Sequence, residues 1–156
     1  MKTLFREDER TALARRIDLL QPDSTGQWGK MDAAHMICHV TDQLRVALGD
    51  IPTSFSAPSV FRFRLIRRMV HLTVVAVVLW LPWPKGRIET APEMLTTSPL
   101  EWDDDLSALQ GLLDTFGKQD PDIEWAAHPM FGRLSGREWG ALGWKHLDYH
   151  LRQFGV

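Results

Sequence analysis

"SGREWGALGWKHLDYHLRQF", residues 135–154, decides the fold because it carries a helix start signal followed by a long helical pattern. Its first four residues form a predicted capping box: the Ser135 hydroxyl accepts from the backbone N–H of Glu138, whose side chain reaches back. Apolar residues then recur at helical spacing at Trp139, Leu142, Leu147, Leu151 and Phe154. The stretch therefore predicts an amphipathic α-helix from about residue 136 to Phe154.

Three other segments have the same character, and Gly- and Pro-rich loops separate them. They are Arg6–Leu20, Met31–Leu48 and Leu100–Phe116. Gly49 and Gly117 follow two of them and are expected to end those helices, since glycine readily adopts the left-handed conformation found there. No convincing set of alternating strands appears. The predicted fold class is all-α, a helical bundle with long loops and an extra apolar segment.

Chain length, net charge and cysteine content limit the classes of protein to which this sequence can belong. The 156 residues fit one compact domain, predicted here as 1–156. A formal charge of −2 argues against a nucleic-acid-binding role, which normally goes with a basic excess. A single cysteine, Cys38, allows no intrachain disulfide and suits a reducing compartment. The first residues are charged and show no secretory leader, so a cytoplasmic location is expected.

Two neighbouring stretches leave alternatives open. The cluster FRFRLIRR, residues 61–68, could contact phosphates and bases, but a solvated flank of a helix is the preferred interpretation. The apolar run of residues 69–83 is shorter than the roughly 20 residues of a membrane span. We rank a core helix first, an interfacial helix second and a span third, and a strand also remains open. The run is also a candidate surface for a homodimer.

His146 and His150 lie four residues apart within the apolar stripe of the last helix. Both imidazoles are therefore expected to point into the bundle, where a buried polar ring needs a partner. One shared cation would satisfy both rings, and hydrogen-bonded core histidines are the alternative. The pair is not the zinc-protease motif, because Leu147 stands where that motif needs glutamate.

A third ligand can come from the Met31–Leu48 helix. His39 lies at the border of its apolar stripe, whereas His35 lies further out. Asp32 and His35 loosely echo the carboxylate-x-x-His element of di-iron bundles, but no second copy is present. Cys38 falls on the opposite side of the helix and is expected to be a small packed residue rather than a ligand.

Residues 128–155, "HPMFGRLSGREWGALGWKHLDYHLRQFG", resemble the C-terminal signature of the DinB-like, or YfiT-like, metalloenzyme superfamily, in a bacterial branch of unknown function. Residues 28–49, "WGKMDAAHMICHVTDQLRVALG", are similar to the group's N-terminal ligand helix, and "KGRIETAPEML" to its extended arm. The resemblance implies a four-helix bundle and one divalent metal ion, nickel or zinc. Carried over by position, the metal ligands are His39, His146 and His150. The branch often has histidine where this chain has Tyr149, a position off the ligand face.

The same resemblance implies a metal-dependent hydrolase or a thiol-dependent transferase acting on a small molecule. The alternatives are a non-enzymatic ligand-binding or stress-associated module and a peripheral membrane protein. Substrate and general base are not identified by the sequence.

Other polar and aromatic residues are assigned supporting roles. Gln43 and Gln153 are expected to orient imidazole N–H groups. Asp42 and Glu93 are candidate bases without geometric support. His128 is expected to dock its loop by hydrogen-bonding backbone, and Trp102 with Trp125 is a guess for a pocket rim.

Overall fold

The computed structural model describes residues 1–53, 73, 75–87 and 90–156, and this part of the chain is mostly helical, as predicted. Four longer helices are α1 (Glu7–Ile17), α2 (Ala33–Leu48), α3 (Trp102–Gly117) and α4 (Gly136–Gln153). Residues 75–80 are also helical, and Pro92–Met94 form one turn of 3-10 helix. Before α4 the strands β1 (Ala127–His128) and β2 (Gly132–Arg133) pair as an antiparallel hairpin, which the sequence analysis did not foresee.

The four longer helices share one apolar core. Helices α1 and α2 each contact both α3 and α4. Each helix contributes large side chains that are almost completely buried, among them Leu13, Met36, Phe116 and Trp139. Burial of such side chains is the main favourable term in folding, so the apolar stripes seen in the sequence determine which helix faces meet.

The four helices begin and end within three residues of the predicted bounds, and the largest difference is that α1 ends at Ile17 rather than Leu20. The Ser135–Glu138 capping box is present, with the Ser135 backbone N–H 2.7 Å from the Glu138 carboxylate. Gly49 ends α2 with φ +88°. Gly117, by contrast, does not terminate α3 but is its last helical residue. A Cβ at Gly117 would meet the Arg10 guanidinium, the flexible end of a side chain that can move aside. Since Gly117 has no positive φ either, neither packing nor backbone conformation strictly requires glycine here.

A buried carboxylate fastens residues 90–99 to α2. These residues comprise the second half of the segment likened above to an extended arm and the four residues after it, and they are called the arm from here on. Asp42 is fully buried and accepts hydrogen bonds from the backbone N–H and the hydroxyl of both Thr96 and Thr97, at 2.5–2.9 Å. Burial alone would raise the Asp42 pKa, but the hydrogen bonds from Thr97 and Thr96 outweigh it, and the pKa is lowered. Asp42 therefore anchors the arm as a charged carboxylate.

The apolar segment is helical where it is described, over residues 75–80, but it is not a fully buried core helix. Val75 is buried, whereas Val77 is 48% and Trp80 71% exposed. The strand interpretation does not hold for these residues. The FRFRLIRR cluster and residues 69–72 lie outside the described residues. Within the described ranges, no helix combines the length and apolar character that a membrane crossing needs.

Candidate metal centre

Three buried histidines from two helices meet at one point. The Nε2 atom of His146 lies 2.9 Å from Nε2 of His39 and 3.1 Å from Nε2 of His150. His39 comes from α2, and the other two come from successive turns of α4. All three are at most 8% exposed. The structure therefore brings together the three histidines that the sequence analysis selected, and these residues could hold a metal ion.

The opposite nitrogen of each ring faces an oxygen acceptor. The Nδ1 atom of His39 donates to the Met94 carbonyl at 2.9 Å. That of His146 donates to Oε1 of Gln43 at 2.5 Å, and that of His150 to Oε1 of Gln153 at 2.8 Å. Because these oxygens can only accept, each Nδ1 carries the hydrogen. The free lone pair of every ring is then on Nε2, the nitrogen that points to the common centre.

This arrangement is unfavourable without a cation. Burial lowers the pKa of all three histidines, to about 3 for His150 and well below the ordinary value for His146, so the rings are neutral at pH 7. The proximity of the other histidines lowers the pKa of His146 and His150 further. Three neutral rings with Nδ1–H leave the short Nε2 contacts without any hydrogen to share. A cation between the lone pairs removes this repulsion.

The spacing suits a small divalent ion. Imidazole nitrogens bind zinc at about 2.0–2.1 Å, which puts two nitrogens of a tetrahedral site about 3.3 Å apart. The contacts of 2.9 Å and 3.1 Å are a few tenths of an ångström shorter. Small rotations of the side chains would open the triangle to that size.

The loop before α2 supports His150 through Gln153. The amide orientation of Gln153 is set because its Nε2 donates to the Trp28 carbonyl at 2.7 Å, which leaves Oε1 for His150. Gly29 permits this approach: its φ is +80°, and a Cβ there would lie 2.8 Å from Nε2 of Gln153. Both hydrogen bonds expected of Gln43 and Gln153 are therefore present.

The histidine cluster opens into a cavity of about 670 Å³. Its described walls are mostly apolar and come from residues 77–84, the arm, the β hairpin and α4. They include Val78, Trp83, Met94, Phe131 and Leu142. No aspartate or glutamate lines the cavity among the described residues, and its one charged lining side chain there is the exposed Lys30.

Two side chains of α4 hold the cavity walls in place. The Lys145 ammonium donates to the carbonyls of Val78, Leu79 and Leu81, which end the helical segment 75–80. The Tyr149 hydroxyl accepts from Nε1 of Trp28 at 3.2 Å and from the backbone N–H of Gly86 at 3.1 Å. Tyr149, predicted to lie off the ligand face, thus joins two loops and also lines the cavity.

His128 lines the same cavity from the β hairpin and is 2% exposed. Its Nδ1 accepts from the backbone N–H groups of Met130 at 3.0 Å and Phe131 at 3.3 Å, so it does fix its loop as expected. Its ring stacks on Phe131 with centroids 4.3 Å apart. Burial lowers the His128 pKa to about 4, so this ring is also neutral at pH 7.

Several other candidates lie apart from the cluster. His35 is exposed and bonds Asp32, the residue that caps α2, so neither belongs to a di-iron element. Cys38 is buried on the far side of α2, and burial raises its thiol pKa to about 11. Asp42 and Glu93 do not line the cavity.

The prediction that Trp102 and Trp125 form the pocket rim is wrong, because neither lines the cavity. Trp125 packs against Phe5 and Phe116 instead, while Trp28 and Trp83 line the cavity. Nothing in the sequence pointed to the Met94 carbonyl or to Lys145 as parts of the site. A backbone carbonyl gives no signal in a sequence, and Lys145, directly before His146, falls on the charged side of the helical pattern, which is typical of a solvated face.

The comparisons with known proteins place the chain in a family without assigning an activity. A family model described as "Protein of unknown function (DUF1569)" matches residues 3–155. Neither a curated protein nor a solved structure matches the chain. Since the matched residues span nearly the whole sequence, the chain belongs to the DUF1569 family.

Proposed function

We propose that this protein is a metal-dependent enzyme, a hydrolase or a thiol-dependent transferase, that acts on a small molecule in the cavity described above. His39, His146 and His150 bind one divalent ion, nickel or zinc, through Nε2. The fold is proposed to be the DinB-like four-helix bundle that the sequence resembles.

The observation that carries the proposal is the convergence of three Nε2 lone pairs, each fixed by an acceptor on the other side of its ring. Histidine ligands of metal sites typically donate their second ring N–H to a carbonyl or a carboxylate in this way. A histidine that served only to fill the core would need one hydrogen-bond acceptor for its N–H. Its other ring nitrogen would have no reason to face the Nε2 atoms of two further histidines.

The open side of the cluster supports a catalytic rather than a structural site. Structural zinc sites use four protein ligands, whereas catalytic sites keep a position for water or substrate. A bound divalent ion would supply Lewis acidity at that position. The three imidazoles hold the ion, the mostly apolar walls contact the substrate, and Lys145 and Tyr149 keep those walls in place.

The decisive experiment is elemental analysis of protein purified without a histidine tag. We expect about one nickel or zinc ion per chain in the unmodified protein and loss of at least nine-tenths of it in His39→Ala, since two ligands are too few for tight binding.

His35→Ala is the matched control, because His35 lies on the same helix but is exposed and outside the cluster. It should retain the metal. Equal metal content in the His39→Ala and His35→Ala proteins, with both folded by circular dichroism, would contradict the proposed site.

A further inference from the structure

We propose that the cavity binds a compound with an apolar body and a carboxyl group, and that His128 donates a hydrogen bond from Nε2–H to one carboxyl oxygen beside the metal centre. This inference rests on the proposed function and specifies the class of molecule that the site accepts.

The turn of the β hairpin decides which nitrogen of His128 carries the hydrogen. Nδ1 accepts hydrogen bonds from two backbone N–H groups, those of Met130 and Phe131. A nitrogen that accepts such bonds has no hydrogen of its own, so the hydrogen of the neutral ring is on Nε2. The backbone of the turn thus makes His128 a hydrogen-bond donor through Nε2–H. The three clustered histidines have the other tautomer, with the hydrogen on Nδ1.

That donor has no partner within the protein. Among the residues that the structure describes, none accepts a hydrogen bond from Nε2 of His128, although the side chain is 98% buried. The buried side-chain nitrogens without any partner among the described residues do not include Nε2 of His128, so this atom is not sealed in the core and a ligand in the cavity can accept its hydrogen bond. His128 lines the same cavity as His39, His146 and His150.

The character of the walls indicates the rest of the ligand. Aromatic and aliphatic side chains dominate the described lining, which favours a molecule with an apolar body. The absence of lining carboxylates in the described part of the chain, together with Lys30 at the exposed side, favours a negative charge over a positive one. An oxygen anion can both enter the open coordination position and accept from His128, which a thioether or an amine cannot do equally well.

The test uses octanoate as the probe, titrated by calorimetry into the full-length protein loaded with zinc. Acetate carries the same head without the apolar chain, and it should bind about 50-fold more weakly or worse because each buried methylene group contributes to affinity. Equal affinities for acetate and octanoate, or no octanoate binding at all, would overturn the proposed ligand class.

His128→Asn isolates the donor. The Oδ1 atom of asparagine is as many bonds from Cα as Nδ1 of histidine, so the variant keeps the acceptor for the turn and loses Nε2–H. We expect octanoate to bind about 10- to 100-fold more weakly, as for loss of a hydrogen bond to a charged group, with unchanged zinc content. Unchanged octanoate affinity in the folded variant would overturn the role of His128.

A second measurement does not depend on a variant. Histidine ¹⁵N NMR of the unmodified protein should show one buried ring protonated on Nε2, whose proton moves downfield when octanoate binds. A ring protonated on Nδ1, or no shift, would refute the assignment. Failure to load zinc would count against the proposed function alone, because the same titrations in metal-free protein still report whether octanoate binding depends on His128.

Discussion

Replacing Gln43 with methionine would test whether the hydrogen bonds behind the histidines control metal binding. Gln43 is buried, and its Oε1 lies 2.5 Å from Nδ1 of His146. Methionine has a similar size but is at best a weak acceptor. The neutral ring of His146 then has two tautomers. Metal binding requires the hydrogen on Nδ1, whereas the metal-free protein can adopt the other tautomer, and this difference opposes binding.

If His146 keeps its hydrogen on Nδ1, a buried donor is left without a good acceptor, at a cost of about 1–3 kcal/mol. If the hydrogen moves to Nε2, that nitrogen can donate to Nε2 of His39, which is 2.9 Å away. The metal-free cluster then gains a hydrogen bond that a metal ion must break. Loss of a partner behind a metal ligand typically weakens binding 10- to 100-fold, or about 1.4–2.7 kcal/mol.

The assay is a zinc competition titration against a chromogenic chelator at pH 7.5, with circular dichroism as a check of folding. Gln43→Glu is the matched control, because a carboxylate at this position can still accept from His146. It should bind zinc at least as tightly as the unmodified protein. A folded Gln43→Met protein with an unchanged zinc Kd would refute the reasoning.

Three further predictions concern stability. Asp42→Ala removes the acceptor that anchors the arm. The free energy of unfolding, measured in urea, should fall by about 2–4 kcal/mol. An unchanged urea midpoint of unfolding would show that other contacts hold the arm. The His128 pKa of about 4 in the folded protein lies below the roughly 6.5 of an unfolded histidine. Between pH 6.5 and pH 4 the unfolded state therefore binds more protons than the folded state. As the pH falls through this range, the free energy of unfolding should decrease by up to about 1.4 kcal/mol per pH unit. In metal-free protein, His128→Asn should remove this part of the slope in denaturation measured from pH 7 to pH 4, and identical slopes would contradict it. Gly140→Ala should be destabilising by about 1–3 kcal/mol, since a Cβ there would lie 2.6 Å from neighbouring side-chain atoms. Gly111→Ala, in open space on α3, should instead stabilise by about 0.5–1 kcal/mol, and thermal unfolding of the pair would separate packing from helix propensity.

The helices and the inward faces of their histidines could be predicted because the signals are local. Helical spacing puts His146 and His150 on one side of α4 whatever the rest of the chain does, and the capping box fixes where that helix begins. The same geometry ranked His39 above His35 on α2, and the structure has the first buried and the second exposed.

The sequence by itself determined a mostly helical protein with three inward-pointing histidines, since helix periodicity and apolar burial depend on neighbouring residues. Only the tertiary structure decided what those rings can do. The tautomer of each ring depends on acceptors that lie far away along the chain, such as the Met94 carbonyl for His39. The Nε2–H donor of His128 likewise depends on a hairpin turn that no periodic pattern in the sequence predicts. Hydrogen bonds act over about 3 Å in space, and the fold alone brings such groups within that distance.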